Sequence, residues 1–228
     1  MKTLSIIIPV YNEAKTIHQV LKKVYAQRLT GWKKEIIVVN DGSTDETRNL
    51  LRTWEKSVTV INKQRNEGKG SAVSLGIQKT TGNFILIQDA DSEYDPADYP
   101  ALLKPFSNPD VFVVYGSRFL GPHLSTMFIY AQGNKFVTMI TNLFYNTNIT
   151  DMETGYKVFR KKVISGITIR SKRFDVEPEL TVKILKRGYQ IYEVPISYYG
   201  RTFREGKKLT WRDGVIALWT LIMYRFID

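Results

Sequence analysis

The sequence predicts an α/β fold, a mostly parallel sheet with helices on both faces. Three observations predict it. Strand-like and helix-like segments alternate from residue 4 to about residue 115. The strand-like segments are continuously apolar rather than alternating, as in sheets covered on both sides. Polar motifs follow the first, second and fourth of them directly, where open α/β sheets bind ligands.

The elements follow in order. Residues 6–10 read as a short buried strand closed by a turn. Residues 13–28 read as a helix, with Ile17, Val20, Leu21, Val24 and Tyr25 on one face. Residues 35–39 are a second strand, followed by the turn NDGSTD, and Ser43 with Glu46 forms a capping box that opens a helix. Residues 58–61 are a third strand, and RNEGKGSA then opens another helix. Residues 84–88 are a fourth strand ending in DADSEYD, 97–106 are helical, and 111–115 are a fifth strand. Beyond Gly116 the alternation stops. Phe136, Val137, Met139, Ile140, Leu143 and Phe144 follow a helical period and mark an amphipathic helix. The polar loop TNITDMETG comes next, then a charged helix over 176–187, the strand-like YEVPISY and the cationic loop YGRTFREGKK. The last stretch, 209–227, reads as an amphipathic C-terminal helix. Its charge-free core, 215–224, is ten residues, about 15 Å of helix, half of a ~30 Å bilayer core and too short to span it.

Composition narrows the classes. A chain of 228 residues is one domain, or one with an appendage. The absence of Cys excludes a disulfide scaffold, a Cys-zinc site and thiol catalysis, and two His leave little room for a His-based metal site or triad. The apolar run of the N-terminus is too short for a signal segment. The formal charge is +11, and residues 160–212 hold 14 Lys+Arg against 5 Asp+Glu, a net +9. That excess is either a solvated basic face or an electrostatic landing surface for nucleic acid, an anionic membrane or a phosphorylated ligand.

The sharpest motif is Asp89-Ala90-Asp91 after the fourth strand. Strand residues alternate in direction, so the two carboxylates can share a side and repel unless a cation lies between them. Oxygen donors of this kind suit Mg²⁺ or Mn²⁺ together with substrate phosphates. The competing reading of such a tripeptide is a turn or helix cap. Asp41 after the second strand can accept from a base or ribose, or can close an Asx-turn. Lys69, between Gly68 and Gly70 at a helix start, can add charge where backbone N–H groups meet an anion. The P-loop spacing and the G-x-G-x-x-G fingerprint are missing, which argues against an NTPase or an NAD enzyme.

Taken in order, PVYNE, NDGSTD, NEGKG and DAD resemble the family 2 glycosyltransferases of GT-A fold, over residues 4–118. The resemblance assigns Pro9, Tyr11, Glu13, Asp41, Lys69, Asp89, Ala90 and Asp91 to nucleotide-sugar binding, and Asp89, Asp91 and Glu93 to an Mg²⁺ or Mn²⁺ ion. GSR at 116–118, DMETGYKVFR and RFDVEPEL…VPISY look like the branch that makes polyprenyl- or dolichyl-phosphate sugars. There the counterparts of Arg118 and Arg201 contact phosphates. Two departures stand out. Relatives carry an Arg at the start of the helix after GSR, where this chain has YAQGNK with Lys135 as the nearest cation. Many relatives continue into transmembrane helices beyond the point where this sequence ends.

The expectation is one GT-A domain over 1–228. Residues 1–118 would be the donor half, 119–208 the acceptor half and 209–228 a helix at the membrane interface or packed in the core. The expected activity is metal-dependent, inverting transfer of a mannose- or glucose-type sugar from GDP or UDP to a polyprenyl phosphate, at the cytoplasmic face of a membrane and with no nucleic-acid partner. A phosphate acceptor is already about −1.5 to −2 at pH 7, so cations suit it, whereas a sugar hydroxyl needs a base. Asp151 is a candidate to position the acceptor or act as base, or is a plain loop residue; Glu153 is a weaker candidate. A polysaccharide or other glycan acceptor is the alternative. A basic RNA- or membrane-binding module is a remote one, since it would not need acids at three strand ends.

Overall fold

A computed structural model describes residues 1–121, 128–201 and 211–227. Most of the cationic loop expected after the YEVPISY strand, 202–208, and the start of the C-terminal stretch lie outside the described residues.

Seven strands form one sheet: β1 (Lys2–Val10), β2 (Trp32–Asn40), β3 (Thr59–Asn62), β4 (Phe84–Ile87), β5 (Val113–Ser117), β6 (Lys157–Arg160) and β7 (Ile191–Pro195), in the order β3-β2-β1-β4-β6-β5-β7. Every pairing is parallel except the two made by β6, which runs antiparallel between β4 and β5. Both faces are covered. Leu4, Ile6 and Ile8 point into one core with Val20, Leu21 and Tyr99, while Ile7 points into the other with Val73, Val176 and Leu180. Burial on both sides is what the unbroken apolar runs required.

The helices are α1 (Ile17–Ala26), α2 (Thr47–Arg52), α3 (Lys69–Lys79), α4 (Tyr99–Leu103), α5 (Phe128–Tyr145), α6 (Lys161–Ile164), α7 (Val176–Lys186) and α8 (Trp211–Phe226). Three expectations shift. The helix expected over 97–106 is broken into 3₁₀ turns on either side of α4, because Pro96, Pro100 and Pro105 each lack an N–H donor. The capping box does not form. Ser43 Oγ accepts the Asn12 N–H at 3.0 Å, tying the loop after β1 to the loop after β2, and the Asp45 carboxylate accepts the Thr47 N–H instead. The third shift concerns α5. Its inward face is Val137, Thr138 and Thr141, while Phe128, Ile129, Phe136, Met139 and Leu143 face solvent.

α8 has one buried face and one exposed apolar face. Ala217, Thr220, Leu221 and Tyr224 repeat at helical spacing and are buried, and the three apolar ones pack with Val137, Met152 and Val182. Val215, Ile216, Trp219, Ile222 and Phe226 stand exposed on the other side. Among the described residues no helix is long and apolar enough to cross a membrane.

Candidate active site

A cavity of about 760 Å³ opens beyond the C-terminal ends of the parallel strands. Pro9, Tyr11, Glu13, Asp41, Lys69, Asp89, Ala90, Asp91, Glu93, Arg118 and Arg201 all line it, although they come from six separate segments of the chain. Asp151, alone of the sequence-predicted residues, does not.

The first group of charges gathers around Arg201. Its guanidinium lies 3.1 Å from Asp91 Oδ2, 3.2 Å from Glu13 Oε2 and 3.7 Å from Glu93 Oε1. Three carboxylates thus face one cation. Glu93 also accepts the Arg201 backbone N–H at 2.7 Å and the Tyr198 hydroxyl at 2.8 Å, which fixes the segment after β7 over the site. Between Asp91 and Glu93, Ser92 holds φ = +64°, a strained value for a residue with a side chain. Burial pushes the Asp91 carboxyl up to about 7, the charges of Asp89 and Glu93 add to the rise, and Arg201 opposes it. Among the described residues no three metal-ligating side chains converge into a ready-made cage. The surplus of negative charge still fits a divalent cation of the kind that takes one or two carboxylates and completes its shell with substrate phosphates.

The second group lies deeper. Lys69 Nζ pairs with Asp89 Oδ1 at 2.6 Å and with Glu177 Oε1 at 2.9 Å, and Glu177 pairs through its other oxygen with Lys157. Lys157 is 0 % exposed. The ammonium of Lys69 therefore orients Asp89 and joins it to α7. Gly155 leaves the room for this: a Cβ there would stand 2.2 Å from Asp89 Oδ2.

The glycines around Lys69 serve a different purpose from the anion approach expected of them. A Cβ on Gly68 would meet the Lys172 carbonyl at 2.3 Å, and one on Gly70 the Ser171 carbonyl at 2.2 Å. The N–H groups of Gly70 and Ser71 donate to the Arg173 and Lys172 carbonyls. The start of α3 is thus filled by protein backbone. Asp41 is similarly engaged, accepting the N–H groups of Glu67 and Gly68 and pairing with Lys63. It holds the 63–68 turn from a distance, rather than closing a local Asx-turn at Gly42 and Ser43, and it also lines the cavity.

The third group is Arg118 with Asp151. Arg118 donates to the two Asp151 oxygens at 2.7 Å each, and its backbone N–H adds a third bond at 3.0 Å. Asp151 is fully buried behind the guanidinium. Both Asp151 oxygens are thus engaged by Arg118, and the carboxylate does not line the cavity. A carboxylate held in a fork by Arg positions the guanidinium. Arg118 in turn lies over the Tyr198 ring, 5.2 Å from its centroid.

Sequence reasoning gave no role to Lys157, Glu177, Tyr94 or Tyr198. The first two sit inside motifs that stood out, DMETGYKVFR and RFDVEPEL, but no strand was expected at Lys157, so the sequence offered nothing to pair it with Glu177. Tyr130, Asn134 and Val137 of α5 and Gly214 and Ala217 of α8 also line the cavity, so the two helices with exposed apolar faces form part of its wall.

Fold and site together are a GT-A-like sheet with a charged cavity at its strand ends. The chain belongs to glycosyl transferase family 2, whose sequence profile matches residues 5–168. It is 29% identical over 198 residues to glycosyltransferase AglJ of Haloferax volcanii, covering 86% of this chain and 63% of that one. It is 28% identical over 216 residues to dolichol-phosphate mannosyltransferase of Pyrococcus furiosus, covering 90% of this chain and 58% of that one. The matched region thus spans less than two thirds of either relative. Glucosyl-3-phosphoglycerate synthase from Mycobacterium tuberculosis, solved with Mn²⁺ and UDP-glucose, superposes with a TM-score of 0.78 at 18% identity, over all of this chain and 80% of that one.

Proposed function

We propose that this glycosyltransferase moves a mannose- or glucose-type sugar from a GDP- or UDP-sugar to a polyprenyl phosphate at a membrane surface, with inversion. Residues 1–118 serve as its donor half, 119–208 as its acceptor half and 209–228 as an interfacial helix. One observation carries this reading: a single cavity joins the acidic strand ends to Arg118 and Arg201, and it is also lined by α5 and α8, which carry exposed apolar side chains. A lipid phosphate needs cations at its head and an apolar surface for its tail. Trp219 is 65% exposed and Leu143 73%, and such side chains add apolar burial at an interface where nearby cations contribute about 1 kcal/mol each.

Asp91, with Asp89 and Glu93, would hold an Mg²⁺ or Mn²⁺ ion, which neutralises charge building on the departing nucleoside diphosphate. Tyr11, Glu13 and Asp41 line the donor side, and Lys69 keeps Asp89 in place. Arg118, fixed by Asp151 and Tyr198, presents a preorganised guanidinium to the acceptor phosphate. Arg201 sits between the two sides. It can exchange its carboxylate partners for a phosphate once a cation takes over their charge.

The test is a donor screen with Mn²⁺ and a short-chain polyprenyl phosphate, reading out glycolipid. Asp91→Ala should abolish metal-dependent turnover and leave the fold intact; retained turnover would overturn the metal assignment. Arg201→Ala should bind Mn²⁺ on the order of tenfold more tightly without nucleotide, a difference of ~1.4 kcal/mol, yet transfer sugar more slowly. Unchanged transfer to lipid phosphate, or turnover only onto a glycan, would overturn the acceptor assignment.

A further inference from the structure

The loop before β6 reaches two sides of the cavity with its two ends. At one end the Asp151 carboxylate holds Arg118. At the other, Gly155 packs so closely on Asp89 that a Cβ would stand 2.2 Å from its Oδ2. Glu153 lies midway between them and lines the cavity. The backbone on either side of it is pinned. The fully buried Lys157 ammonium donates to the carbonyls of Met152 and Thr154, and the Thr154 hydroxyl donates to the Gly116 carbonyl at 2.6 Å. Yet Glu153 Oε1 is buried without a hydrogen-bond partner. The two cations that act on it, Lys157 and Arg118, are paired with Glu177 and Asp151. A buried acceptor left unsatisfied is costly, and a bound molecule rich in hydroxyl donors would satisfy it.

We propose that Glu153 is a sugar-binding residue, whose carboxylate accepts hydrogen bonds from hydroxyls of the sugar being transferred. The inference rests on the placement of donor and acceptor proposed above. In that placement the diphosphate lies on the Asp89 side and the acceptor phosphate at Arg118. The transferred sugar must lie between them, and so does Glu153. A sugar offers several O–H donors, whereas the two phosphate groups offer a carboxylate only further negative charge. The contact moves no proton and takes no part in bond making. Burial raises the Glu153 carboxyl to about 7; Lys157 and Arg118 oppose the rise, while Glu177 and Asp151 add to it. At pH 8 the group is therefore largely ionised and free to accept.

Wild type, Glu153→Ala and Glu153→Gln are titrated calorimetrically at pH 8 with Mn²⁺, using UDP against UDP-glucose and GDP against GDP-mannose. The bare nucleoside diphosphate reports everything in the donor site except the sugar. In the nucleotide series that wild type binds, Glu153→Ala should bind the sugar nucleotide about 10- to 10²-fold more weakly, as expected for hydrogen bonds to a charged acceptor. It should bind the bare diphosphate no more weakly than wild type does. Glu153→Gln keeps a neutral carbonyl acceptor and should lose less. Equal losses for the sugar nucleotide and the bare diphosphate would mean a structural role and would overturn the proposal, as would an unchanged affinity for the sugar nucleotide. Wild type that binds neither sugar nucleotide would instead overturn the donor reading, and the proposal with it.

Discussion

Glu177→Gln tests whether the deep charge cluster holds the site together. In the native fold two cations, Lys69 and Lys157, face two anions, Asp89 and Glu177. Lys157 is fully buried, and besides Glu177 it donates to the carbonyls of Met152 and Thr154. Burial pushes the Glu177 carboxyl upward, yet Lys157 and Lys69 pull it below its ordinary value. The substitution keeps the shape and removes one negative charge, so two cations, one of them fully buried, face one anion. Breaking a buried pair in this way costs about 3–5 kcal/mol. For a chain of this length each kcal/mol lowers Tm by roughly 2–4 °C, so the melt should fall by roughly 6–20 °C. Urea unfolding gives the free energy, and nucleotide titration reports the loosening of Asp89. The double variant Lys157→Met/Glu177→Gln restores the charge balance and should recover most of the loss. A single variant within 1 kcal/mol of wild type, or a double variant no more stable than the single, would refute the reasoning.

Three further outcomes follow from the same structure. Gly70→Ala forces a Cβ against the Ser171 carbonyl and should cost about 1–3 kcal/mol in urea unfolding, whereas Gly214→Ala, with open space around it in α8, should be neutral or stabilise by up to ~1 kcal/mol. The Glu153 carboxyl rises from 4.5 in the unfolded chain to about 7 in the fold, so the folded state binds its proton more tightly. Its contribution to stability then falls as pH rises from 4.5 through 7, by on the order of 3 kcal/mol. Glu153→Gln should match wild type below pH 4.5 and exceed it at pH 8; parallel stability–pH curves would count against the buried, cavity-facing placement. Trp219→Ser and Leu143→Ser should each weaken partition onto anionic vesicles by about tenfold, from ~1.5 kcal/mol of lost apolar burial, without a change in melting; unaffected partition would remove α5 and α8 from the membrane surface.

The sequence by itself determined the parallel half of the sheet and where its chemistry lies. Runs such as 4–10 and 36–39 are apolar on both sides, and only a sheet buried on both faces satisfies them. The polar residues that follow each run must then gather at one end, because parallel strands all end on the same side. That is why the polar motifs after the first, second and fourth strands were legible as one end of the sheet; the resemblance named the individual residues, Arg118 and Arg201 among them, and all eleven line one cavity. Tertiary structure decided the rest. β6 carries Lys157 and Arg160 in four residues and gives no apolar signal; it is a strand because β4 and β5 leave a gap and Glu177 neutralises its buried Lys. Its antiparallel insertion brings the 151–155 loop to the cavity and gives two neighbouring carboxylates different surroundings, Glu153 lining the cavity and Asp151 buried against Arg118. α5 shows the same limit in another form. Periodicity announces an apolar stripe, but the direction in which the stripe faces depends on what packs against the helix. Here Thr138 and Thr141 turn inward and Phe136, Met139 and Leu143 turn out. Local patterns set the period of an element, and long-range partners set its orientation.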